Sequence, residues 1–295
     1  MIVRPALGWI AGLLIVAIIG LTVDWSLAQA GFRQIAANPV PVGAAIVGYA
    51  LAFVLRAEAW GAVLPVPVSR GGRFRALMAM LAANHALPGP VGEPVRARMV
   101  MGPELSFRAA LTSVVAARLV DVAAIAVLIS GAGLATGSLP GWLRMVTPLA
   151  LVLPCVALVV VSRRGVRLGP RRAAVAMAWA VPSWSLEAGM VWAVAEAAGV
   201  RLTLAEALLV TCGSVLAQVV AVLPGGLGTY EAAATSVLMA VGVAAAPAFT
   251  IAAGTHALKF AFAFTCGLPA LGWRWPSATA DGRIGSTPTA TQASA

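Results

Sequence analysis

Two short segments rich in glycine and proline, here called breaks, interrupt the apolar sequence, and each ends in a glutamate. They contain the residues of this chain that are best suited to chemistry. The first runs from Pro88 to Glu93 and the second from Pro224 to Glu231, inside sequence that is otherwise apolar. A break of this kind creates a new helix N-terminus, where free N–H groups and partial positive charge favour a phosphate or a carboxylate. The breaks therefore predict anion-binding backbone, with Glu93 and Glu231 capping the half-helices and able to exchange protons.

The spacing of the two breaks indicates an internal repeat. Their opening prolines, Pro88 and Pro224, are 136 residues apart, and their glutamates are 138 apart. Interrupted apolar segments in corresponding halves of a chain indicate a transporter-type site near the bilayer midplane. The alternative is that the glycines only permit close helix contacts and that each glutamate caps its own helix. The break glycines singled out as binding residues are Gly92, Gly225, Gly226 and Gly228.

Two ionisable pairs follow the breaks at the same offset. Arg118 and Asp121 lie three residues apart in one apolar stretch, and adding 138 to their numbers gives His256 and Lys259 in another. Ionisable groups in the hydrocarbon region cost about 2.5–3.5 kcal/mol each and usually face a partner or water. Arg118 and Asp121 can neutralise each other one turn apart. His256 and Lys259 cannot, and so they require an anion from one of the break glutamates or from a substrate.

The elements that must position these residues are membrane helices. With 61% hydrophobic residues, 10% charged residues and a mean hydropathy of +0.94, the chain is no ordinary soluble domain. A span needs about 20 apolar residues. The six predicted full spans are 7–28, 43–64, 108–133, 143–162, 173–198 and 247–271. Residues 74–101 and 205–241 hold the breaks and are predicted to be re-entrant helix pairs facing a cavity, since irregular backbone at that depth is otherwise not tolerated.

Loop charge predicts the orientation. Fourteen arginines fall in loops on one side of this topology and three, Arg33, Arg144 and Arg201, on the other. By the positive-inside rule both termini are cytoplasmic. Three spans separate the breaks, so the first re-entrant pair enters from the cytoplasm and the second from outside. The fold prediction is an all-α polytopic integral membrane protein with inverted repeats at about 43–133 and 173–271 in a single domain, 1–272, followed by a disordered cytoplasmic tail, 273–295.

Several functional classes find no support in the sequence. The net charge of +10 is accounted for by the loop arginines and by attraction to anionic lipid, and so we do not predict nucleic-acid binding. The three cysteines offer no metal-binding spacing, and neither a metal nor a cofactor is predicted. A phosphate-loop motif for nucleotide hydrolysis is not found, which leaves proton coupling or downhill movement as the energy source.

The motifs together resemble the transmembrane domain of bacterial lysylphosphatidylglycerol synthases and its stand-alone flippase-like relatives. The resemblance covers about residues 43–270. The matching positions are Arg56 with Trp60, Asn84 with Pro88, Gly92, Glu93 and Arg96, Arg118 with Asp121, and Pro224-Gly225-Gly226-Leu227-Gly228 with Glu231. His256 and Lys259 are not among the positions that carry the resemblance, and their assignment rests on the internal repeat. For Arg56 and Trp60 the competing interpretation is a snorkelling cation and an aromatic anchor at the cytoplasmic interface.

The resemblance implies movement of a lipid or lipid-linked molecule between leaflets of the bacterial inner membrane. Some stand-alone relatives are associated with hopanoid lipid pathways, so that subgroup is an expectation here. The family's synthases carry a soluble aminoacyl-transfer domain, whereas only a short tail follows residue 272 here, and so we expect no enzyme activity.

The function predicted from the sequence is transport of an anionic lipid or a polyprenyl-phosphate-linked molecule. Membrane lipids are the expected partners, with lipid-biosynthesis enzymes as further ones. Two alternatives stay open: a non-transporting membrane scaffold for lipid biosynthesis, and an intramembrane lipid-modifying transferase that would use His85 or His256. The predicted substrate-binding residues are Arg56, Asn84, Pro88, Gly92, Glu93, Arg96, Arg118, Asp121, Pro224, Gly225, Gly226, Gly228, Glu231, His256 and Lys259.

Overall fold

The computed structural model describes residues 23–136, 169–218 and 223–272, together with four single positions near the N-terminus. Within these residues the regular secondary structure is helical, which confirms the all-α prediction. The predicted span at 143–162, the predicted tail at 273–295 and most of the predicted span at 7–28 lie outside the described residues.

Nine α-helices and one 3₁₀ turn make up the described part. The helices are α1 (Trp25–Ala37), α2 (Pro39–Val63), α3 (Arg70–Ala86), α4 (Gly92–Met99), α5 (Phe107–Thr136), α6 (Pro170–Ala197), α7 (Leu204–Gln218), α8 (Thr229–Ala240) and α9 (Ala245–Gly272); the 3₁₀ turn is Pro224–Gly226.

Polar and proline residues determine where several helices begin. Asp24 accepts hydrogen bonds from the backbone of Ser26 and Leu27 and caps α1, so the predicted first-span boundary at residue 28 differs from the structure. Pro39 opens α2, as its fixed φ and missing N–H favour. Ahead of α7, the Glu206 carboxylate accepts from the Thr203 backbone N–H at 2.7 Å while the Thr203 hydroxyl accepts from the Glu206 N–H, a reciprocal capping box.

Three described helices are long and apolar enough to cross a membrane: Pro39–Val63, Phe107–Gly133 and Ala245–Gly272. They coincide with the predicted spans 43–64, 108–133 and 247–271. Helix α6 covers the predicted span 173–198 and has 28 residues, but it is less apolar than the other three. The chain is therefore a membrane protein in which one long helix carries more polar groups than its neighbours.

Each predicted break separates two short helices. Helix α3 has 17 residues and α4 has 8, which correspond to about 26 and 12 Å. Helix α7 has 15 residues and α8 has 12, about 22 and 18 Å. Every one of these is shorter than the roughly 30 Å hydrocarbon core. Thr229 is the first residue of α8, and Gly228 with its positive φ of 77° takes the capping position.

Helices α2 and α6 pack against each other along the middle of the structure. The remaining contacts come largely in corresponding pairs. Helix α3 packs on α9 as α7 packs on α5, and α2 contacts α5 as α6 contacts α9. The short helices of each break also pack on each other, α3 on α4 and α7 on α8. The packing of α5 on α6 and that of α1 on α9 lack a counterpart of similar extent among the described helices.

Candidate functional site

The two breaks border one cavity of about 490 Å³, which is lined by residues of α2 to α7 and of α9. Its walls combine apolar side chains with an unusual number of ionisable ones. The charged, histidine and amide side chains that line it are Arg56, Asn84, His85, Glu93, Arg96, Arg118, Asp121, Glu187, Gln218, His256 and Lys259. In a membrane protein such groups mark a functional path by default.

The first break is held by an amide from the last turn of α3. The Asn84 Oδ1 accepts a hydrogen bond of 2.7 Å from the Gly92 backbone N–H, which is one of the free donors at the start of α4. Gly92 packs so tightly that a Cβ there would collide with the Met80 carbonyl oxygen and lie 2.6 Å from Asn84 Oδ1. Gly89 supplies the left-handed turn, with φ of 74°. The sequence here specifies both the turn and the close backbone approach.

A first charge cluster, defined by Glu93, Arg96, Arg118 and Asp121, lies beside this break. Glu93 is in the first turn of α4, where it accepts from Arg118 Nε at 2.8 Å and approaches Arg96 Nε at 2.9 Å. Arg118 also approaches Asp121 at 3.4 Å. The predicted Arg118–Asp121 pair therefore exists, but Glu93 is the closer partner of Arg118. Asp121 is held from the other side by Trp184 Nε1 at 3.1 Å.

The second break is fastened by two side chains that meet one carbonyl. Gln218 Nε2 donates to the Gly225 carbonyl oxygen at 2.9 Å, and His256 Nε2 contacts the same oxygen at 3.1 Å. Glu231 accepts from the Gly228 N–H at 2.8 Å and contacts His256 Nδ1 at 2.6 Å. Glu231 therefore caps its helix, as predicted for that residue, and also supplies the anion that His256 requires. Gln218, which the sequence analysis missed, stabilises this break through a side-chain hydrogen bond to its backbone, as Asn84 stabilises the first break.

Lys259 forms an ion pair with Glu187, a residue that the sequence analysis did not select. Its Nζ lies 2.6 Å from the Glu187 carboxylate on α6, and Arg56 of α2 forms an ion pair with the same carboxylate. The Lys259 ammonium also lies 4.8 Å from the ring centre of Tyr230, within cation–π range. Helices α2 and α6 both begin with a proline, Pro39 and Pro170, and Arg56 and Glu187 are each 17 residues further on. That equivalence is a sequence signal that would have found Glu187.

Arg56 and Trp60 are not an interfacial anchor. The Arg56 side chain is only 12% exposed and lies 4.0 Å from the centre of the Trp184 ring. Trp60 is 1% exposed and donates from Nε1 to the Ser113 hydroxyl at 3.1 Å. The interpretation as a snorkelling cation with an aromatic belt residue is therefore wrong. Both side chains face the helix bundle because the Glu187 carboxylate and the Ser113 hydroxyl satisfy their polar groups there.

Exposure separates the cations of the cavity. The side chains of Arg96 and Lys259 are 3% and 5% exposed, whereas Arg118 is 42% exposed. Three arginines, one lysine and three carboxylates line the described cavity, which leaves an excess of one positive charge outside the His256–Glu231 pair. The group best placed to meet an incoming anion is therefore Arg118.

Ten of the fifteen predicted binding residues line the cavity and five do not. The ten are Arg56, Asn84, Glu93, Arg96, Arg118, Asp121, Gly225, Gly226, His256 and Lys259. The five that lie outside the lining are Pro88, Gly92, Pro224, Gly228 and Glu231. Gly92, Gly228 and Glu231 stand directly behind it through the backbone and side-chain contacts described above. A role of any of the fifteen in binding a substrate remains a prediction.

Comparison with known families gives a match along almost the whole chain. A family model described as the lysylphosphatidylglycerol synthase TM region matches residues 9–166 and 162–267. The chain belongs to this family. The match begins well before residue 43, where the region with the sequence motifs starts, and it includes both breaks and the residues that line the cavity. No curated protein and no solved structure matches the chain.

Membership of the lysylphosphatidylglycerol synthase TM family makes this a lipid-related, multi-pass membrane protein. The arrangement of the cavity agrees with that class. It offers a buried polar centre between short helices, an exposed guanidinium and apolar walls. A site of this composition can hold a charged headgroup while the rest of an amphiphile stays against apolar side chains.

Proposed function

We propose that this protein carries an anionic lipid, or a polyprenyl-phosphate-linked molecule, across the bacterial inner membrane without changing it chemically. The observation that carries the proposal is the cavity where both breaks meet, with its surplus positive charge and its partly exposed Arg118. Arg118 forms ion pairs with Glu93 and Asp121. A phosphate can take over part of the guanidinium's five donors, a geometry that suits arginine better than any other side chain.

The apolar part of the cavity suits the remainder of a lipid. Between α5 and α7 its wall consists of aliphatic side chains, among them Val122, Ile125 and Leu216. Val122 and Leu216 are also more than a third exposed on the outside of the helix bundle. An acyl or prenyl chain lying against this wall would reach lipid while its headgroup stays at Arg118.

Alternating access between inverted repeats is the mechanism that fits the packing best. The corresponding contacts of α3 with α9 and of α7 with α5 are what a two-fold relation between the halves would produce. In this proposal the four short helices around the breaks are re-entrant pairs, and rocking of one half on the other along α2 and α6 opens the cavity to each side in turn. The cytoplasmic location of both termini belongs to the same proposal and rests on the loop arginines.

Substrate and partners within this proposal follow from chemistry and from the family. The exposed guanidinium favours a phosphate-containing headgroup. A hopanoid-associated lipid is a second candidate cargo, because some stand-alone relatives belong to such pathways. Enzymes that make the lipid are the expected protein partners. An enzymatic role is not part of the proposal, although His85 and His256 do meet at the cavity with ring centres 6.4 Å apart.

Reconstitution into vesicles tests the proposal. Fluorescent phosphatidylglycerol is incorporated, and dithionite quenching reads the fraction in the outer leaflet over time. Arg118→Gln should lower the rate at least tenfold, while the matched control Arg108→Gln, an exposed arginine at the start of the same helix, should not. Equal rates for both folded variants, at the wild-type value, would contradict the role of the cavity. Mass spectrometry of the extracted lipid separates transport from a transferase, because transport leaves the lipid mass unchanged.

A further inference from the structure

His256 has an oxygen acceptor at each of its ring nitrogens. The ring is 1% exposed, with Nδ1 2.6 Å from the Glu231 carboxylate and Nε2 3.1 Å from the Gly225 carbonyl oxygen. A backbone carbonyl can only accept a hydrogen bond. The second Glu231 oxygen already accepts from the Gly228 N–H at 2.8 Å.

Satisfying both contacts requires one proton more than a neutral imidazole and a carboxylate possess together. The arrangement is complete when the ring is an imidazolium beside a carboxylate, or when a neutral ring faces a protonated carboxyl group. In either form the His256–Glu231 pair has no net charge. Loss of the extra proton leaves the pair at −1 and leaves one of the two contacts without a hydrogen atom.

The corresponding glutamate of the first break has no such proton. Glu93 is held by Arg96 and Arg118, and guanidinium groups do not deprotonate in proteins. Of the two breaks that the structure describes, the second has its glutamate in contact with a histidine, a side chain that can gain or lose a proton, and not with a guanidinium. The two halves therefore differ chemically: the ion pairs of Glu93 do not depend on a proton that can leave, whereas the contact of Glu231 with His256 does.

The charged and titratable groups around His256 come from four helices. Glu231 and Tyr230 belong to α8, and the Tyr230 ring stacks on His256 with centres 4.3 Å apart. His85 of α3 lies 6.4 Å away between ring centres, and its Nδ1 contacts the Leu81 carbonyl at 2.8 Å. Lys259 lies one turn further along α9 and is neutralised by Glu187 of α6 at 2.6 Å.

Glu231 is therefore the anion in direct contact with the ring. Helix α1 packs on α9 near Gly254, and the α1 side chains at that contact, Phe32 and Ile35, are apolar. A positive charge on His256 depends on Glu231 more than on any other group around it.

Proton loss changes both the backbone and the electrostatics of the cavity. If Nε2 gives up its proton, the Gly225 carbonyl keeps only the Gln218 donor, and the break is less firmly held. The negative charge gained by the pair also cancels the surplus positive charge of the cavity lining. An anionic headgroup should therefore bind better when the pair holds its proton, and the proton should bind better when the headgroup is present, because such coupling is reciprocal.

We infer that the His256–Glu231 pair is a proton-binding site which couples proton movement to passage of the anionic headgroup, one H⁺ taken up from water with each headgroup and released on the other side. The coupling rests on the proposed transport function, but the proton site itself does not. No bond other than N–H or O–H is made or broken, and the carboxylate and the imidazole are regenerated when the proton leaves.

Histidine NMR tests the proton site without any transport assay. The chain has two histidines, so ¹⁵N-histidine labelling gives two rings, and His85→Asn assigns the remaining signals to His256. The protein is placed in nanodiscs of phosphatidylcholine, with or without phosphatidylglycerol, and titrated from about pH 5 to 9. The ring should carry two N–H groups at low pH and lose one as the pH rises, with proton affinity about tenfold higher in the phosphatidylglycerol discs.

Two results would overturn the inference. One is a ring whose two ¹⁵N signals do not change over the whole pH range, because loss of the extra proton from either form of the pair alters a hydrogen bond at the ring. The other is a titration that does not respond to phosphatidylglycerol, which would leave a proton site without coupling. In Glu231→Gln, where the amide oxygen can still accept from Gly228, the proton affinity of His256 should fall at least tenfold; an unchanged titration would show that Glu231 is not its partner.

Transport under a pH gradient separates failure of the coupling from failure of the proposed function. Wild-type vesicles with fluorescent phosphatidylglycerol should accumulate the lipid in the leaflet that faces the alkaline compartment. The ratio of leaflet populations with and without the gradient should return to 1 in Glu231→Gln. If wild-type protein moves the lipid at the same leaflet ratio with and without the gradient, the coupling alone is refuted. If no lipid moves at all, the transport function is refuted, and the proton site is then tested by the NMR result alone.

Discussion

The buried carboxylate of Glu187 supports the centre of the molecule, and its removal should be among the most damaging single changes. It is 4% exposed and forms ion pairs with Lys259 of α9 and Arg56 of α2, which are 5% and 12% exposed. Removing one partner of a buried ion pair costs about 3–5 kcal/mol, because a charge is left uncompensated. Glu187→Gln leaves two cations in that position, so we expect a loss of about 4–5 kcal/mol in the free energy of unfolding.

Changing a cation instead should cost less. Lys259→Met keeps the Glu187–Arg56 pair and fills most of the lysine stem, so the expected loss is about 1.5–3 kcal/mol, the usual range for a hydrogen bond to a charged group. The double variant removes the orphaned lysine. It should therefore be more stable than the sum of the single changes by about 1–3 kcal/mol, a typical coupling energy for contacting residues.

Equilibrium unfolding in mixed dodecylmaltoside and SDS micelles, followed by near-UV circular dichroism, measures these free energies. Glu196→Gln is the matched control, since Glu196 is exposed on the same helix, and it should change stability by less than about 0.5 kcal/mol. A loss of stability in Glu187→Gln no larger than in this control would refute the role of the buried ion pairs. A loss in the double variant equal to the full sum of the two single losses would refute the coupling between Glu187 and Lys259.

Two further predictions concern the backbone. Gly92→Ala places a Cβ against the Met80 carbonyl and should lower the free energy of unfolding by about 1–3 kcal/mol. Gly89→Ala has open space around it and adds only the strain of a φ of 74°, about 1 kcal/mol. The same unfolding assay ranks the two variants, and the reverse order would contradict the close approach of α3 and α4. Thr203→Ala removes the α7 capping box and should lower the free energy of unfolding by about 1 kcal/mol. Amide hydrogen exchange should become faster only in the first turn of α7. Unchanged protection of those amides would contradict the capping role.

The helices and the breaks were predictable because their signals are local. Apolar length locates α2, α5 and α9, and the Gly/Pro motifs locate the ends of α3 and the start of α8. The start of α1 was missed for a local reason too: Asp24 is an N-cap inside an apolar run, and hydropathy alone does not register a cap.

The pairing of the buried charges was only partly predictable. The repeat offset led to His256 and its need for an anion, and Glu231 was among the candidates. Glu187 was passed over because both of its partners lie on other helices, 72 and 131 residues away along the chain. Short-range spacing also favoured Asp121 as the partner of Arg118, whereas the fold brings Glu93 closer. Interactions between helices decide these pairs, and single-sequence periodicity does not encode them.

Movement of an anionic lipid between leaflets is the central claim, and one measurement addresses it most directly. Purified wild-type protein is reconstituted into vesicles that contain a trace of fluorescent phosphatidylglycerol, or of fluorescent phosphatidylcholine in parallel, and dithionite reads the outer-leaflet fraction of each. Phosphatidylglycerol should cross at least tenfold faster than in protein-free vesicles and faster than phosphatidylcholine. Rates for both lipids equal to those of protein-free vesicles, with the protein shown to be folded, would contradict lipid transport by this protein.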